Sequence, residues 1–206
     1  MIQLYGLKNS NYCSLVKAIL IEKGLDFEEI PAPPTQKPDN LARSPMGKMP
    51  AIGVDGQYLS ESMAIALYLE QIAPQPQLVP SDAFAAAKVL ELSQHLTLDV
   101  ELVARRVLPA AFFGATASEE VKATTKADLE RGMAAIDRIF VGAPYATGET
   151  LTLADFYTFY TFGLASMVVQ KIFDFDLLEG HDNIRALTEK LASHPSIART
   201  EAEKAD

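Results

Sequence analysis

The chain has 206 residues, with 18 basic and 27 acidic side chains and a formal charge of −9. That sign excludes a nucleic-acid backbone or an anionic membrane surface as the main partner, because both are recognised by clusters of lysine and arginine. The single cysteine, Cys13, rules out an intrachain disulfide, and three scattered histidines (His95, His181, His194) do not make a structural zinc set, so no metal is expected. The length suits one or two domains that bury their own core. The opening residues lack the basic-then-apolar pattern of a leader, and no apolar run reaches the ~18 residues of a membrane span. The expectation is a cytoplasmic protein.

Residues 1–76 mix strand and helix signals. Ile2 to Tyr5 is a short apolar run and predicts a buried strand. Asn9, Ser10 and Asn11 break it, after which Leu15, Val16, Ile19 and Leu20 share one helical face up to Gly24. Phe27 to Ile30 predicts a second strand. Pro31, Pro33, Pro34 and Pro38 then predict an irregular segment. Asp55-Gly56 between two apolar runs predicts a hairpin, and Ala64, Ile65, Tyr68, Leu69 and Ile72 keep a helical period. Residues 77–83, the end of a proline-rich stretch, read as a linker. From 84 to 206 every signal is helical. Val89, Leu92, Leu96, Val100, Val103 and Val107 make one long stripe, and Leu129, Met133, Ile136 and Phe140 a second, with a break at Gly114 to Ser118. Thr150 to Asp155 opens another helix, Ile184 to Leu191 marks a further one, and the polar tail from Thr200 is expected to fray. The fold class is thus an α/β N-terminal domain followed by an all-α helical domain.

Three features of the first domain carry chemistry. In Gly47-Lys48-Met49-Pro50 the proline opens a strand; a trans bond is the general expectation, whereas a cis bond would turn the Met49 backbone toward a ligand. In Ser60-Glu61-Ser62, a serine can cap the following helix and an acid suits its N-terminus. Alternatively, Glu61 pairs with the amine of a small zwitterion whose carboxylate is taken by the helix N-terminus and Ser62. The loop Asn9-Ser10-Asn11-Tyr12-Cys13-Ser14 follows the first strand, where ligands of α/β units gather. A hydroxyl or thiol there either caps the helix or stabilises a thiolate.

Taken with Lys37-Pro38, Leu41, Pro45, Gly47-Lys48-Met49-Pro50, Leu59-Ser60-Glu61-Ser62, Ala64-Ile65, Leu151 to Asp155 and His194-Pro195, these features resemble the glutathione transferase superfamily along nearly the whole chain. The resemblance implies a thioredoxin-like first domain, a cis Pro50 and glutathione as co-substrate. It implies that Met49 pairs its backbone with the cysteinyl part, that Glu61 and Ser62 hold the γ-glutamyl end, and that Lys48, with Lys37 or Gln36, reaches the glycyl end. Ser10 stands where serine-using classes place the residue that activates the thiol; Asn11, where those classes carry proline, and Cys13 are rivals, with Tyr5, Tyr12 and Ser14 further donors nearby. A catalytic Cys13 would instead form a mixed disulfide and give thiol-reductase chemistry. Leu7, Leu108, Phe112 and Phe113 are candidate walls for a small apolar electrophile, or, for the last three, bundle core. Thr152 and Asp155 fit a helix capping box and so a folding role. The expected activity is conjugation of glutathione to small apolar electrophiles, with peroxide reduction as a companion. The alternatives are a glutathione-dependent reductase or isomerase, and a non-enzymatic interaction module of the starvation-response kind. A homodimer is implied.

Overall fold

The computed structural model describes residues 1–204. It divides into two compact units, 1–78 with 192 onward, and 79–191.

In the first unit, Ile2–Gly6 forms β1 and Asn11–Glu22 forms α1, whose predicted apolar face is almost fully buried, Leu15 at 1% exposed and Val16, Ile19 and Leu20 at 0%. The crossover through α1 lays β2, Phe27–Pro31, parallel to β1. Then follow α2 (Pro38–Arg43), β3 (Ala51–Val54), β4 (Gln57–Ser60) and α3 (Ser62–Ile72). β3 runs antiparallel to β1 and β4 antiparallel to β3, giving a mixed sheet in the order β2-β1-β3-β4, the expected thioredoxin-like arrangement. The β3–β4 turn has positive φ at Asp55 (49°) and Gly56 (79°), as a right-twisted two-residue hairpin requires. The short α2 is not evident in the sequence: it spans only six residues, with Pro38 in its first turn and Asn40 as its one buried side chain.

The proline-rich segment is tied to this unit by a buried cluster. Lys23 Nζ lies 2.5 Å from Glu70 Oε2 and donates to the Pro76 carbonyl at 2.6 Å, while the Leu78 amide donates to the Glu70 carboxylate at 3.2 Å. Leu78 is 1% exposed, so the first unit closes inside the expected linker.

The second unit contains α4 (Ala83–His95), a π-helical turn (Leu96–Glu101), α5 (Leu102–Ala104), α6 (Leu108–Phe112), α7 (Glu119–Asp137), α8 (Leu153–Phe173) and α9 (Asp182–Ala192), whose last residue is grouped with the first unit. Both predicted apolar stripes are buried, from Val89 to Val107 and from Leu129 to Phe140. At the π turn α7 comes close: a Cβ on Gly132 would collide with the Asp99 carbonyl. The buried Glu101 carboxylate accepts there from Arg105 Nε at 2.9 Å and Thr161 Oγ1 at 3.3 Å. The capping box of α8 is formed, with Asp155 accepting from the Thr152 amide at 2.7 Å.

The end of the chain departs from expectation. Residues 84–206 do not form one domain, because Pro195–Ala202 makes a further helix, α10, that joins the first unit, and Thr200 is 1% exposed rather than frayed. Ile197 is fully buried, and Lys17 of α1, itself 5% exposed, pairs with Glu203 at 2.7 Å. A polar tail with one inward apolar residue gives no local sign of such docking.

Among the described residues, no helix is long and apolar enough to cross a membrane, and no cluster of three or more His, Cys, Asp or Glu is placed to hold a metal.

Candidate functional site

Register brings most of the sequence candidates of the first unit to one end of its sheet. Tyr5 faces Ala51 and Ala51 faces Ser60, so the residues just beyond, Gly6, Pro50 and Glu61, lie side by side. The Met49–Pro50 bond is cis. Met49 is half-buried and its Cβ lies 3.7 Å from where a Cβ on Gly6 would stand.

Glu61 precedes α3 with φ 71° and ψ 119°, makes no capping hydrogen bond, and is exposed. Capping therefore does not explain this acid. A non-glycine residue at such an angle costs of order 1–3 kcal/mol and persists only where surroundings impose it. The first helical bond of α3 runs from the Ile65 amide to the Glu61 carbonyl, so the amides of residues 62–64 have no helical carbonyl to reach. The result is a carboxylate beside a helix N-terminus, complementary to an ammonium next to a carboxylate.

The segment 35–48 forms the neighbouring wall. The Thr35 amide donates to the Gly47 carbonyl at 3.0 Å, Asn40 Nδ2 donates to the Thr35 carbonyl at 3.0 Å, and Gln36 Nε2 donates to the Met46 carbonyl at 3.1 Å. Gly47 has φ +62°, and a Cβ there would collide with the Thr35 carbonyl. This fixes the backbone that presents Gln36, Lys37 and Lys48, all exposed. Thr35, Asn40 and Gly47 as scaffold were not picked out in the sequence, although the lone glycine before Lys48 was a usable signal.

Ser10 caps α1: its Oγ accepts from the Cys13 amide at 3.4 Å. A hydroxyl has two acceptor positions and one donor, so capping leaves its O–H able to donate. Asn11 and Tyr12, the first two residues of α1, are half-buried. Cys13 is 5% exposed and its sulfur packs on Gly6, where a Cβ would collide with it. Burial pushes its thiol pKa up, with hydrogen bonds from Ser10 and Leu7 pulling part of the way back. Ser14 is 2% exposed and donates to the Ser10 carbonyl at 3.0 Å. Tyr5 lies in the core with Ala32 and Ala51, under the Arg43 guanidinium at 4.9 Å.

The candidate electrophile residues are divided between the two units. Leu7 is 38% exposed on the β1–α1 loop. In the second unit Leu108 is half-buried, while Phe112 and Phe113 are 43% and 75% exposed and so are not bundle core. Lys171 Nζ sits 4.8 Å from the Phe112 ring centroid.

A thioredoxin-like sheet with an acid at positive φ before a helix N-terminus is followed by a helical unit, and comparison with known proteins gives the class of protein to which this arrangement belongs. The chain matches the glutathione S-transferase N-terminal domain over residues 4–77 and the C-terminal domain of the same family over residues 105–202. It is 38% identical over 204 residues to a glutathione S-transferase of Pseudomonas putida, spanning 99% of this chain and 93% of that one. It is 27% identical to a maleylacetoacetate isomerase of Pseudomonas aeruginosa, over 95% of this chain and 93% of the relative. A solved holo structure of maleyl pyruvate isomerase, a bacterial zeta-class glutathione transferase, superposes with a TM-score of 0.77 at 25% identity, over 96% of this chain and 95% of that one. The chain belongs to the glutathione S-transferase family and is a glutathione transferase.

Proposed function

We propose that the protein binds glutathione at the sheet end around Met49, Glu61 and Ser62 and activates its thiol from Ser10 for reaction with small apolar electrophiles. The observation that carries this reading is Glu61, held at positive φ and unused as a cap, beside the N-terminus of α3. Glu61 takes the ammonium of the γ-glutamyl group and the α3 amides with Ser62 take its carboxylate. The Met49 backbone aligns the cysteinyl segment, and Gln36, Lys37 and Lys48 offer donors to the glycyl end.

Bound glutathione supplies the nucleophile, a thiol that in water ionises near pH ~8.5. Ser10 donates its O–H to the sulfur, and the α1 N-terminus adds its partial positive charge. A downward shift of one to two units requires about 1.4 to 3 kcal/mol of preferential thiolate binding, within reach of one hydrogen bond and a helix end. In conjugation the new S–C bond forms as the carbon–leaving-group bond breaks and the leaving group departs to water. Leu7, on the β1–α1 loop of the same unit as Ser10, is an apolar side chain offered to the electrophile. Peroxide reduction draws on the same thiolate, and a homodimer follows the family.

The likeness to two isomerases favours a second reading, in which a cis-alkene conjugated to a carbonyl is isomerised by reversible addition of the same thiolate. The reductase reading is weaker, because Cys13 is buried with its thiol pKa raised, which opposes the thiolate that such chemistry needs. The test is an ultraviolet titration of bound glutathione thiolate in wild type and Ser10→Ala. A pKa raised by one unit or more in the variant, with binding retained and Glu61→Ala losing binding, supports the reading. Unchanged ionisation in Ser10→Ala moves the role to another donor, and retained binding in Glu61→Ala refutes the site.

A further inference from the structure

A cavity of about 390 Å³ lies within the first unit, behind the β1–α1 loop. Leu4, Leu7, Ile30 and Pro31 give it apolar walls, and Cys13, the only thiol of the chain, opens onto it. The β1–α1 loop at Lys8 and Asn9 forms another side, and the end of the chain, Thr200, Glu203 and Lys204, a further one. That wall is held chiefly by charge. Lys17 Nζ lies 2.5 Å from Glu29 Oε1 on β2 and 2.7 Å from Glu203 Oε2 just past α10.

Two features make this contact a movable one. A second cavity, about 330 Å³, lies on the far side of the same ion pair and is also lined by Glu29 and Glu203, so the residues past Thr200 have open space on both flanks. The earlier part of the helix is anchored independently: Ser196, Ile197 and Thr200 are at most 1% exposed, and His194 Nδ1 is 3.5 Å from Glu22 Oε2. The other charged groups at the joint are Arg199, which donates to Glu203 at 2.8 Å, Glu201, paired with Lys204 at 2.6 Å, and Lys8 on the loop. Segments with few apolar contacts open at the lowest cost.

We infer that residues 201–204 form a latch over this cavity: the Lys17–Glu203 bond holds it shut, and its release admits small uncharged molecules to the Cys13 thiol. With the latch shut, the thiol is covered and protonated. With it open, the sulfur meets solvent and regains ordinary reactivity. The inference is independent of the glutathione reading, and its test uses no glutathione.

The probe is N-ethylmaleimide, which is small and uncharged. The Cys13 sulfur adds to the maleimide double bond, an S–C bond forms, the thiol proton ends on the adjacent carbon, and nothing leaves. No other cysteine competes, so intact-mass spectrometry of the full chain reads this one site. In low salt at neutral pH, Glu203→Gln is expected to raise the alkylation rate roughly fivefold or more, since it weakens the ion pair between the latch and Lys17 of α1. Glu29→Gln leaves the latch bond in place and is expected to match wild type. Added salt is expected to speed alkylation of wild type and leave Glu203→Gln flat, a readout that needs no variant to fold in a new way. Equal rates in wild type and Glu203→Gln, a wild-type rate indifferent to salt, or a Glu29→Gln rate as high as that of Glu203→Gln would each overturn the latch.

Discussion

Asp155 offers the sharpest separation of folding from catalysis. It is fully buried in the second unit, and its carboxylate accepts from the Ala146 amide at 2.8 Å, the Thr152 amide at 2.7 Å and Thr152 Oγ1 at 3.0 Å. In Asp155→Ala these donors lose their acceptor where water cannot replace it. Hydrogen bonds to a charged group contribute about 1.5–3 kcal/mol each, a gross loss of about 4–9 kcal/mol. Against this stands the cost of burying the carboxylate, which pushes its pKa above the usual range. The net expectation is a loss of about 3–5 kcal/mol, and about 1–3 kcal/mol for Asp155→Asn, which keeps one acceptor oxygen. At 2–4 °C per kcal/mol for a chain of this size, Tm falls by about 6–20 °C in Asp155→Ala. Because the folded pKa is raised, the ionisation of Asp155 opposes folding. Its contribution is full below the ordinary aspartate value and is lost as pH rises through the folded value. The deficit of Asp155→Asn relative to wild type should therefore be larger in mild acid than at neutral pH. The assay is calorimetry across pH, with glutathione turnover measured well below Tm. A variant that melts like wild type, or one that folds normally but loses turnover, refutes a folding role.

Other perturbations separate binding from scaffold. Glu61→Gly relieves the positive φ and is expected to hold or raise stability, by up to about 1 kcal/mol, while glutathione affinity falls at least tenfold by calorimetric titration; unchanged affinity would remove Glu61 from the site. Gly47→Ala must place a Cβ against the Thr35 carbonyl at an unfavourable φ, so KM for glutathione should rise with little change in kcat, and unaltered kinetics would show that the 35–48 wall is not used. The Lys17–Glu203 bond should have a pH window. Hydrogen bonds from Arg199 and Lys17 hold the Glu203 pKa below its ordinary range, so its contribution is present above that range and lost in acid. Burial alone would lower the Lys17 pKa, but bonds to Glu203 and Glu29 outweigh this and raise it, so its contribution is lost only in strong base. The Tm difference between wild type and Glu203→Gln should accordingly be full at neutral pH, begin to shrink near the ordinary glutamate value of pH ~4.3 and vanish only below the depressed folded value; a difference that persists in strong acid contradicts an ionic joint.

Several features were legible because each is encoded within a few residues. The α1 face, the Asp55-Gly56 hairpin, both stripes of the second unit and the capping box of α8 follow from local periodicity, turn chemistry and an acid three residues past a hydroxyl. The cis Met49–Pro50 bond was not legible from composition or spacing; it came from family resemblance. Ser10 was equally a cap or a donor in the sequence, and in the structure it caps α1 and lies against the Cys13 sulfur. What only the tertiary structure decided depends on residues far apart in the chain. The side chain of Cys13 packs on Gly6 because β1 and the start of α1 meet there, which turns a candidate nucleophile into a covered thiol. Phe112 and Phe113 are left out of the bundle core. The last helix joins the first unit because Ile197 fills a space there and Lys17 reaches Glu203, and neither partner announces the other along the sequence. Local free energies are written in adjacent residues; the burial that sets a thiol's ionisation or seats a terminal helix exists only once distant segments have packed.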